Sequence, residues 1–218
     1  MFHVYPGAEA KIAHADRPPI ALARRIAYAS RTRHPRKEGK LKPEDQTAPP
    51  ATLIEAETIA VRIDEMARAI AADLGHDFVM VIVLKGAFVF GADLLRALGR
   101  VGARPRVEFL GLSSYAHAKE SSGEVKAWTP IPQVARQAAL LVEDILDSGL
   151  TVTHAAALLR EAGATDVKLC ALLDKPAGRK VSVAGDYVGF TIPPRFVVGY
   201  GIDWAERFRE LTDVAAVD

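Results

Sequence analysis

Apolar residues along the chain form an alternating series of helix-like and strand-like patterns. Between Ile59 and Leu74 they recur at steps of three and four, which predicts a helix with one buried face, and Gly75 follows as a stop. The next run, Val79–Leu84, is short, continuous and rich in β-branched residues, which predicts a strand buried on both faces of a sheet. Further helices are predicted at 88–98 and 152–161, and further strands at 107–112, 138–142, 167–173, 187–190 and 196–199.

The order of these elements predicts the fold class. Strands separated by helices of about ten residues are typical of βαβ units, so an α/β fold with a doubly wound, mainly parallel sheet flanked by helices is expected. In such sheets ligands bind beyond the carboxyl ends of the strands. The polar residues that follow the predicted strands are Lys85-Gly86, Ser113-Ser114-Tyr115, Glu143-Asp144 and Asp174-Lys175.

Charge and composition separate the first 50 residues from the rest. The whole chain has a formal net charge of +1, but residues 1–50 hold 10 Lys and Arg against 5 Asp and Glu. Their basic stretch, 31–42, is followed by prolines and shows no sustained periodicity, which predicts an N-terminal extension before a domain at 51–218. A solvated tail is favoured over a basic arm for nucleic acid or a partner, because charge runs are more often solvated. Within it, residues 21–28 have the pattern of a short amphipathic helix.

The length of the apolar runs, the first residues and the single cysteine bear on membrane insertion, cellular compartment and thiol chemistry. The longest apolar runs are far shorter than the roughly 20 residues of a membrane-spanning helix. Residues 1–7 lack the basic and apolar regions of a secretory signal, so the cytoplasm is the expected compartment. The single cysteine, Cys170, lies in an apolar run and is predicted to be a buried thiol without a catalytic role.

Two adjacent acids, Glu143 and Asp144, directly follow the predicted strand 138–142. They suit a sugar diol or a hydrated magnesium ion, both of which prefer carboxylate oxygen. A helix-capping role for Asp147 or Ser148 would explain one polar residue in this region. It would not explain two consecutive acids after an apolar strand, because neighbouring carboxylates repel and are costly to desolvate.

The turn that follows the acids predicts a phosphate site. A helix amino terminus leaves backbone N–H groups unpaired and carries partial positive charge, so residues 147–151 can wrap a phosphate monoester. Ser148 and Thr151 would add hydroxyl donors, and Gly149 would let the backbone approach closely.

These motifs resemble the type I phosphoribosyltransferases, and among them the hypoxanthine-guanine branch. Residues 142–151 resemble the phosphoribosyl pyrophosphate signature, and residues 83–87 resemble the pyrophosphate loop, in which the peptide before the lysine is characteristically cis. Residues 107–110 with Ser113, Ser114 and Tyr115 resemble the strand and mobile loop, and residues 196–211 resemble the carboxyl-terminal purine segment. The match runs from about Leu53 to the end of the chain.

The resemblance implies a type I phosphoribosyltransferase fold with a small hood over the purine site, formed by the N- and C-terminal segments of the domain. It implies that phosphoribosyl pyrophosphate and hypoxanthine or guanine are converted, with Mg²⁺, to IMP or GMP and pyrophosphate. It also implies a homodimer or homotetramer with no membrane or nucleic-acid partner.

The resemblance also implies roles for individual residues. Asp147 is the expected general base for purine N7, Lys175 the donor to the purine 6-oxygen, and Phe196 the stacking partner. The residues expected at the ribose and 5′-phosphate are Glu143, Asp144, Asp147, Ser148, Gly149, Leu150 and Thr151. Those expected at the pyrophosphate are Leu84, Lys85, Gly86 and Arg209, and those in the mobile loop are Ser114 and Tyr115. Those expected at the purine are Ile145, Lys175, Phe196, Val197 and Asp203, and the expected metal ligands are Glu143, Asp144 and Asp203.

Two alternatives remain open from the sequence. A regulatory member of the same fold would sense purines and bind nucleic acid through the basic extension. A transferase that prefers xanthine would need only a small change in the purine site, where Trp204 stands at a position that is frequently tyrosine in the family. The mobile-loop interpretation rests on residues 113–129, which are rich in Ser, Lys, Glu and Gly.

Overall fold

Helices cover both faces of a six-stranded sheet in the computed structural model, which describes residues 50–114 and 125–217. The described elements, in chain order, are β1 (Ala51–Ile54), α1 (Ala56–Leu74), β2 (Val79–Leu84), α2 (Phe88–Arg100), β3 (Arg106–Ser114), β4 (Val125–Ala127), β5 (Ala138–Leu146), α3 (Leu150–Glu161), β6 (Asp166–Asp174), β7 (Tyr187–Thr191), β8 (Phe196–Val198) and β9 (Val214–Val217). A single 3₁₀ turn, Pro176–Gly178, follows β6.

The main sheet has the strand order β4-β3-β2-β5-β6-β7, and all its pairs are parallel except β3 with β4. Alternate residues of its central strands enter two separate cores. Met80 and Ile82 pack with α1 and α2 on one face, whereas Val79 and Val81 pack with α3 on the other. The predicted doubly wound α/β fold is therefore confirmed, and β2 is buried on both faces as its continuous apolar pattern predicted.

A second, three-stranded antiparallel sheet has the order β1-β9-β8. It joins the first strand of the described chain to the last, through pairs such as Ala51 with Ala216 and Phe196 with Val217. N- and C-terminal segments thus form one small sheet, as the hood implied by the resemblance requires. Asp213, just before β9, ties the start of α1 to this sheet, because its Oδ1 accepts a hydrogen bond from the backbone N–H of Ala56 at 3.0 Å.

Several element boundaries differ from those predicted. Helix α2 continues through Gly99 to Arg100, and the chain turns only at Gly102, where φ is +88°. Strand β5 continues four residues past Val142, and α3 begins at Leu150 rather than at 152. Part of the segment predicted as a mobile loop, 113–129, is strand, since the end of β3 pairs with β4.

Some predictions lie outside the described residues, namely the extension before residue 50, its helix at 21–28, and Tyr115. Cys170 is buried, as predicted, and burial raises the pKa of its thiol. None of the helices in ranges 50–114 and 125–217 is long and apolar enough to span a lipid bilayer.

Candidate active site

The predicted site residues from the central part of the chain lie at the carboxyl ends of three adjacent strands, β2, β5 and β6. Strand β5 pairs with β2 only as far as Val142, opposite Ile82, but continues along β6 to Leu146, opposite Asp174. Residues 143–146 therefore have a strand neighbour on one side only. On the other side, the chain after Leu84 turns away into the loop that precedes α2.

Glu143 is a buried carboxylic acid with an unsatisfied oxygen. Its residue is 7% exposed, and Oε2 has no hydrogen-bond partner among the described residues. Burial, and then the neighbouring charge of Asp144, raise the pKa of Glu143 well above its ordinary value. A buried polar atom without a partner costs roughly 1–3 kcal/mol, so this oxygen is poised to take a cation or a hydroxyl donor.

The loop after β2 lies directly against Asp144. A methyl group at Gly86 would stand 1.7 Å from Asp144 Oδ2, so any side chain at this position would displace the Asp144 carboxylate. A Cβ added to Gly201 would also stand too close to the loop, only 2.5 Å from the carbonyl oxygen of Gly86. Three segments distant in sequence thus meet at Gly86, and the peptide between Leu84 and Lys85 is cis, as the family resemblance implied.

The turn between β5 and α3 has the backbone form of a helix amino terminus without a side-chain cap. Gly149 is the N-cap residue, with φ +83°, and no side-chain hydrogen bond caps the helix. The Ser148 hydroxyl accepts only a long contact of 3.4 Å from the backbone N–H of Leu150. The first-turn N–H groups, which have no partner within a helix, remain available for an anion.

Gly149 is also required by packing on the outer side of this turn. A Cβ there would stand 2.5 Å from a Val183 methyl and 2.9 Å from a Val181 methyl. The backbone N–H of Lys180 donates to the carbonyl of Ser148 at 2.9 Å. The chain after β6 therefore braces the turn from outside and leaves its inner side free.

Asp147 and Lys175 form an ion pair across the ends of β5 and β6. Nζ of Lys175 lies 3.3 Å from Oδ2 of Asp147, and their side chains are 14% and 50% exposed, respectively. Arg179 braces this pair from behind: its guanidinium donates to the carbonyls of Leu146, at 2.6 Å, and Asp147, and pairs with Asp174.

The carboxyl-terminal loop adds a second charged cluster. Arg209 pairs with Asp203 through Nη2 and Oδ1 at 2.6 Å, and donates through Nη1 to the Gly201 carbonyl at 2.8 Å. Glu206 accepts from Nζ of Lys85 at 3.1 Å and from Nη2 of Arg209 at 3.4 Å. The hydrogen bond from Lys85 is the main cause that lowers the pKa of Glu206.

Three aromatic side chains form a series of contacts that starts at the first residue of β8. Phe196 is 52% exposed, although it begins a strand, and its ring meets Trp204 edge to face at a centroid distance of 6.0 Å. Trp204 in turn stacks on Phe208 at 6.5 Å. Val197 is buried, so only its backbone is positioned for contact with a ligand, and Ile145 is half-buried against the core on the α1 and α2 side.

The residues present fit a magnesium ion that is also held by a substrate. In the described ranges, no group of three or more His, Cys, Asp or Glu side chains converges on one point. Magnesium is commonly bound by one or two carboxylates together with water and substrate phosphates, rather than by a protein cage. The unpartnered oxygen of Glu143, beside Asp144, supplies the required kind of ligand.

A cavity of about 730 Å³ lies beside this cluster, between α1, α2 and the carboxyl-terminal loop. It is lined by apolar residues such as Ile63, Phe88 and Leu211, and shares only Arg209 with the predicted site residues. The buried Glu143, with its unsatisfied oxygen, and the Asp147–Lys175 pair lie at the strand ends instead, and we therefore place the candidate site there.

The structure adds three residues that sequence reasoning did not place in the site. Arg179 carried no motif signal, because its importance depends on backbone carbonyls that come close only after folding. Glu206 was noted only as part of the resemblance, and its pairing with Lys85 spans 121 positions. Trp204 was noted only as a departure from the commonest pattern, yet it contacts Phe196.

Comparison with known proteins identifies the family. A family model described as a phosphoribosyl transferase domain matches residues 51–204. The bifunctional protein TilS/HprT of Listeria innocua is 43% identical over 161 residues, which cover 73% of this chain and 24% of that protein, so the match spans about a quarter of its length. The hypoxanthine-guanine phosphoribosyltransferase of Bacillus subtilis is 40% identical over 161 residues, covering 73% of this chain and 88% of that protein.

A solved structure from the same group of enzymes is also similar to this chain. The crystal structure of a hypoxanthine-guanine phosphoribosyltransferase from Bacillus anthracis has a TM-score of 0.71 and 40% identity, covering 77% of this chain and 98% of that one. The chain therefore belongs to the phosphoribosyltransferase family, in its hypoxanthine-guanine branch.

Proposed function

We propose that the protein transfers the ribose 5-phosphate group of phosphoribosyl pyrophosphate to hypoxanthine or guanine, forming IMP or GMP and releasing pyrophosphate. One observation carries this proposal: an acid pair with the buried Glu143, an uncapped helix amino terminus and an Asp–Lys pair share the carboxyl ends of β5 and β6. The relatives' names give the same reaction class, and the alternative of a regulatory purine sensor is not favoured.

The 5′-phosphate is assigned to the turn 147–151. The backbone N–H groups of Leu150 and Thr151 and the hydroxyls of Ser148 and Thr151 would donate to its oxygens, with the partial positive charge of α3 behind them. The ribose hydroxyls are assigned to Glu143 and Asp144. The unpartnered Oε2 of Glu143 supports this, because a sugar hydroxyl or a cation would satisfy it.

The purine is assigned to the space between Phe196 and the Asp147–Lys175 pair. N7 and the 6-oxygen share one edge of a 6-oxopurine, and Asp147 and Lys175 present an acceptor and a donor side by side, 3.3 Å apart. Asp147 would accept the proton that leaves N7, and Lys175 would donate to the 6-oxygen. The exposed ring of Phe196 would stack on the base, and the Val197 backbone would contact its edge.

Pyrophosphate is assigned to the loop after β2 and to Arg209. As the bond to the anomeric carbon breaks, negative charge grows on the leaving group, so positive charge and N–H donors are needed there. The backbone of Lys85 and Gly86 would contribute donors, and the planar guanidinium of Arg209 would pair with phosphate oxygens. The mobile-loop roles expected of Ser114, at the end of β3, and of Tyr115 stay predictions.

Magnesium is the proposed metal, with Glu143, Asp144 and Asp203 as its protein ligands. When bound, it would neutralise charge on the pyrophosphate group and help it leave. The homodimer or homotetramer and the cytoplasmic location stay predictions.

Two measurements test the function. Calorimetry with magnesium and phosphoribosyl pyrophosphate should detect binding, and absence of any heat of association would remove the basis of the proposal. Steady-state rates with hypoxanthine, guanine, xanthine and adenine should be highest for the first two. A best rate with xanthine would shift the assignment to the alternative transferase, and a best rate with adenine would contradict the role of Lys175.

A further inference from the structure

Glu206 bridges two cationic groups beside the loop after β2. Both of its carboxylate oxygens lie 3.1 Å from Nζ of Lys85, and Oε2 lies 3.4 Å from Nη2 of Arg209. Lys85 and Glu206 are 121 positions apart in sequence, so this bridge is a tertiary contact rather than a local one. Of its two cations, the Arg209 guanidinium is assigned above to pyrophosphate, and the Lys85 ammonium extends from the residue whose backbone is assigned there.

The backbone holds the carboxylate in this position. The N–H of Glu206 donates to Oδ2 of Asp203 at 2.8 Å, and the left-handed φ angles of Ala205, +52°, and Glu206, +65°, form the turn. Such angles are uncommon outside glycine, which indicates that surrounding contacts specify this turn. The side chain therefore points toward Lys85 from a fixed base.

The bridge is accessible to a competing anion. The side chains of Lys85 and Glu206 are 58% and 66% exposed. Exposed ion pairs contribute little to stability, because both ions are well solvated when they separate. Pyrophosphate carries more negative charge than one carboxylate, so it would take over both cations when it occupies its assigned place.

We infer that Glu206 competes with pyrophosphate for Lys85 and Arg209, and thereby weakens the hold of the protein on its leaving group and product. This inference rests on the proposed function, because it requires a pyrophosphate site at the loop after β2. The carboxylate occupies the cations when pyrophosphate departs, so it favours release and opposes rebinding.

The test is calorimetric titration of the full chain with magnesium pyrophosphate. Glu206→Gln removes the charge while keeping the shape of the side chain, and it should lower the Kd about three- to tenfold. Glu210→Gln is the control, because it makes the same change of charge on a nearby exposed residue that is not assigned to the site. It should leave the Kd within about twofold. Stopped-flow measurement should show slower pyrophosphate release from Glu206→Gln.

The possible outcomes are distinct. Unchanged or weaker binding by Glu206→Gln would overturn the inference, and so would equal tightening by Glu206→Gln and Glu210→Gln, which would show a general charge effect. If thermal melting shows that Glu206→Gln is unfolded, Glu206→Ala takes its place, since Ala205 already adopts the same backbone region. Failure of the unaltered protein to bind pyrophosphate would instead contradict the proposed function.

Discussion

The ammonium of Lys175 lies 3.3 Å from the carboxylate of Asp147, and the two residues belong to the ends of different strands. The backbone N–H of Lys175 also donates to the carbonyl of Leu146 at 3.0 Å, so the two strand ends hold the pair in register. A donor and an acceptor at this spacing match one edge of a 6-oxopurine. Substitution of Asp147 should therefore change mainly the reaction rate, and substitution of Lys175 should change mainly the base selectivity.

Asp147→Asn should lower kcat about 10²- to 10⁴-fold while weakening the binding of phosphoribosyl pyrophosphate much less, because an amide cannot accept the proton from N7. Single-turnover rates and calorimetric Kd values measure the two effects separately. Asp77→Asn, at an exposed position outside the site, is the control and should leave both unchanged. Equal losses in rate and binding would count against proton transfer by Asp147.

Lys175→Gln should reduce the preference for hypoxanthine over adenine, measured as the ratio of kcat/KM values, by about 10- to 100-fold. The ammonium can only donate, whereas an amide can also accept from the 6-amino group of adenine. Lys180→Gln makes the same change of charge on an exposed neighbour and should keep the ratio. An unchanged ratio in Lys175→Gln would place the selectivity elsewhere.

Arg179→Lys should lower kcat more than it raises the KM for phosphoribosyl pyrophosphate, because a lysine cannot reproduce the fork that joins Asp174 to two carbonyls. Loss of these partly buried hydrogen bonds should also cost about 1–3 kcal/mol of unfolding free energy. Arg160→Lys, at the exposed end of α3, is the control for both measurements. Reduced stability with an unchanged kcat would mean that Arg179 supports the fold without positioning Asp147.

The free energy of unfolding of Glu143→Gln should increase relative to that of the unaltered protein as pH rises, when both are measured without ligand or metal. The folded-state pKa of Glu143 is raised, so the folded protein binds this proton more tightly than the unfolded chain does. Its contribution to stability is fully present below the unfolded-state pKa and is lost as pH rises through the folded-state pKa. Urea denaturation at about pH 5 and about pH 8 measures the difference, and an equal stability difference between the two proteins at both pH values would contradict the prediction.

The sequence predicted the parallel core of the fold well, because each central strand and helix carries its own signal. A continuous run rich in β-branched residues marked β2, the apolar run 169–173 marked β6, and the three-and-four spacing marked α1. Strand β8 of the small sheet was predicted at 196–199, but β1, β4 and β9 were missed, because segments as short as Val125–Ala127 and Ala51–Ile54 have no distinctive pattern. Their pairing partners lie far along the chain, as with Ala51 and Ala216, and only the folded structure brings them together.

The extent of β5 and the start of α3 were wrong for a related reason. Polar residues such as Glu143 end a hydrophobic pattern, but strand pairing with β6 continues through them. Likewise, the motif at 147–151 located a phosphate turn, while the contacts that brace it come from Arg179 and Val183, which the motif does not contain.

The last residues of β5, 143–146, pair with β6 but not with β2, and this changes the hydrogen bonds of their backbone. Beyond Val142 the strand has no neighbour in β2, and two of its amides turn to side chains instead: the N–H of Asp144 lies 3.3 Å from Oε1 of Glu143, and the N–H of Ile145 lies 2.8 Å from Oδ1 of Asp144. Any sugar or cation that engages these carboxylates draws on the same two side chains. Amide hydrogen exchange along β5 should therefore register occupancy of the site, fastest at 144–145 and slowest at 139–142, where both neighbouring strands protect the peptide groups.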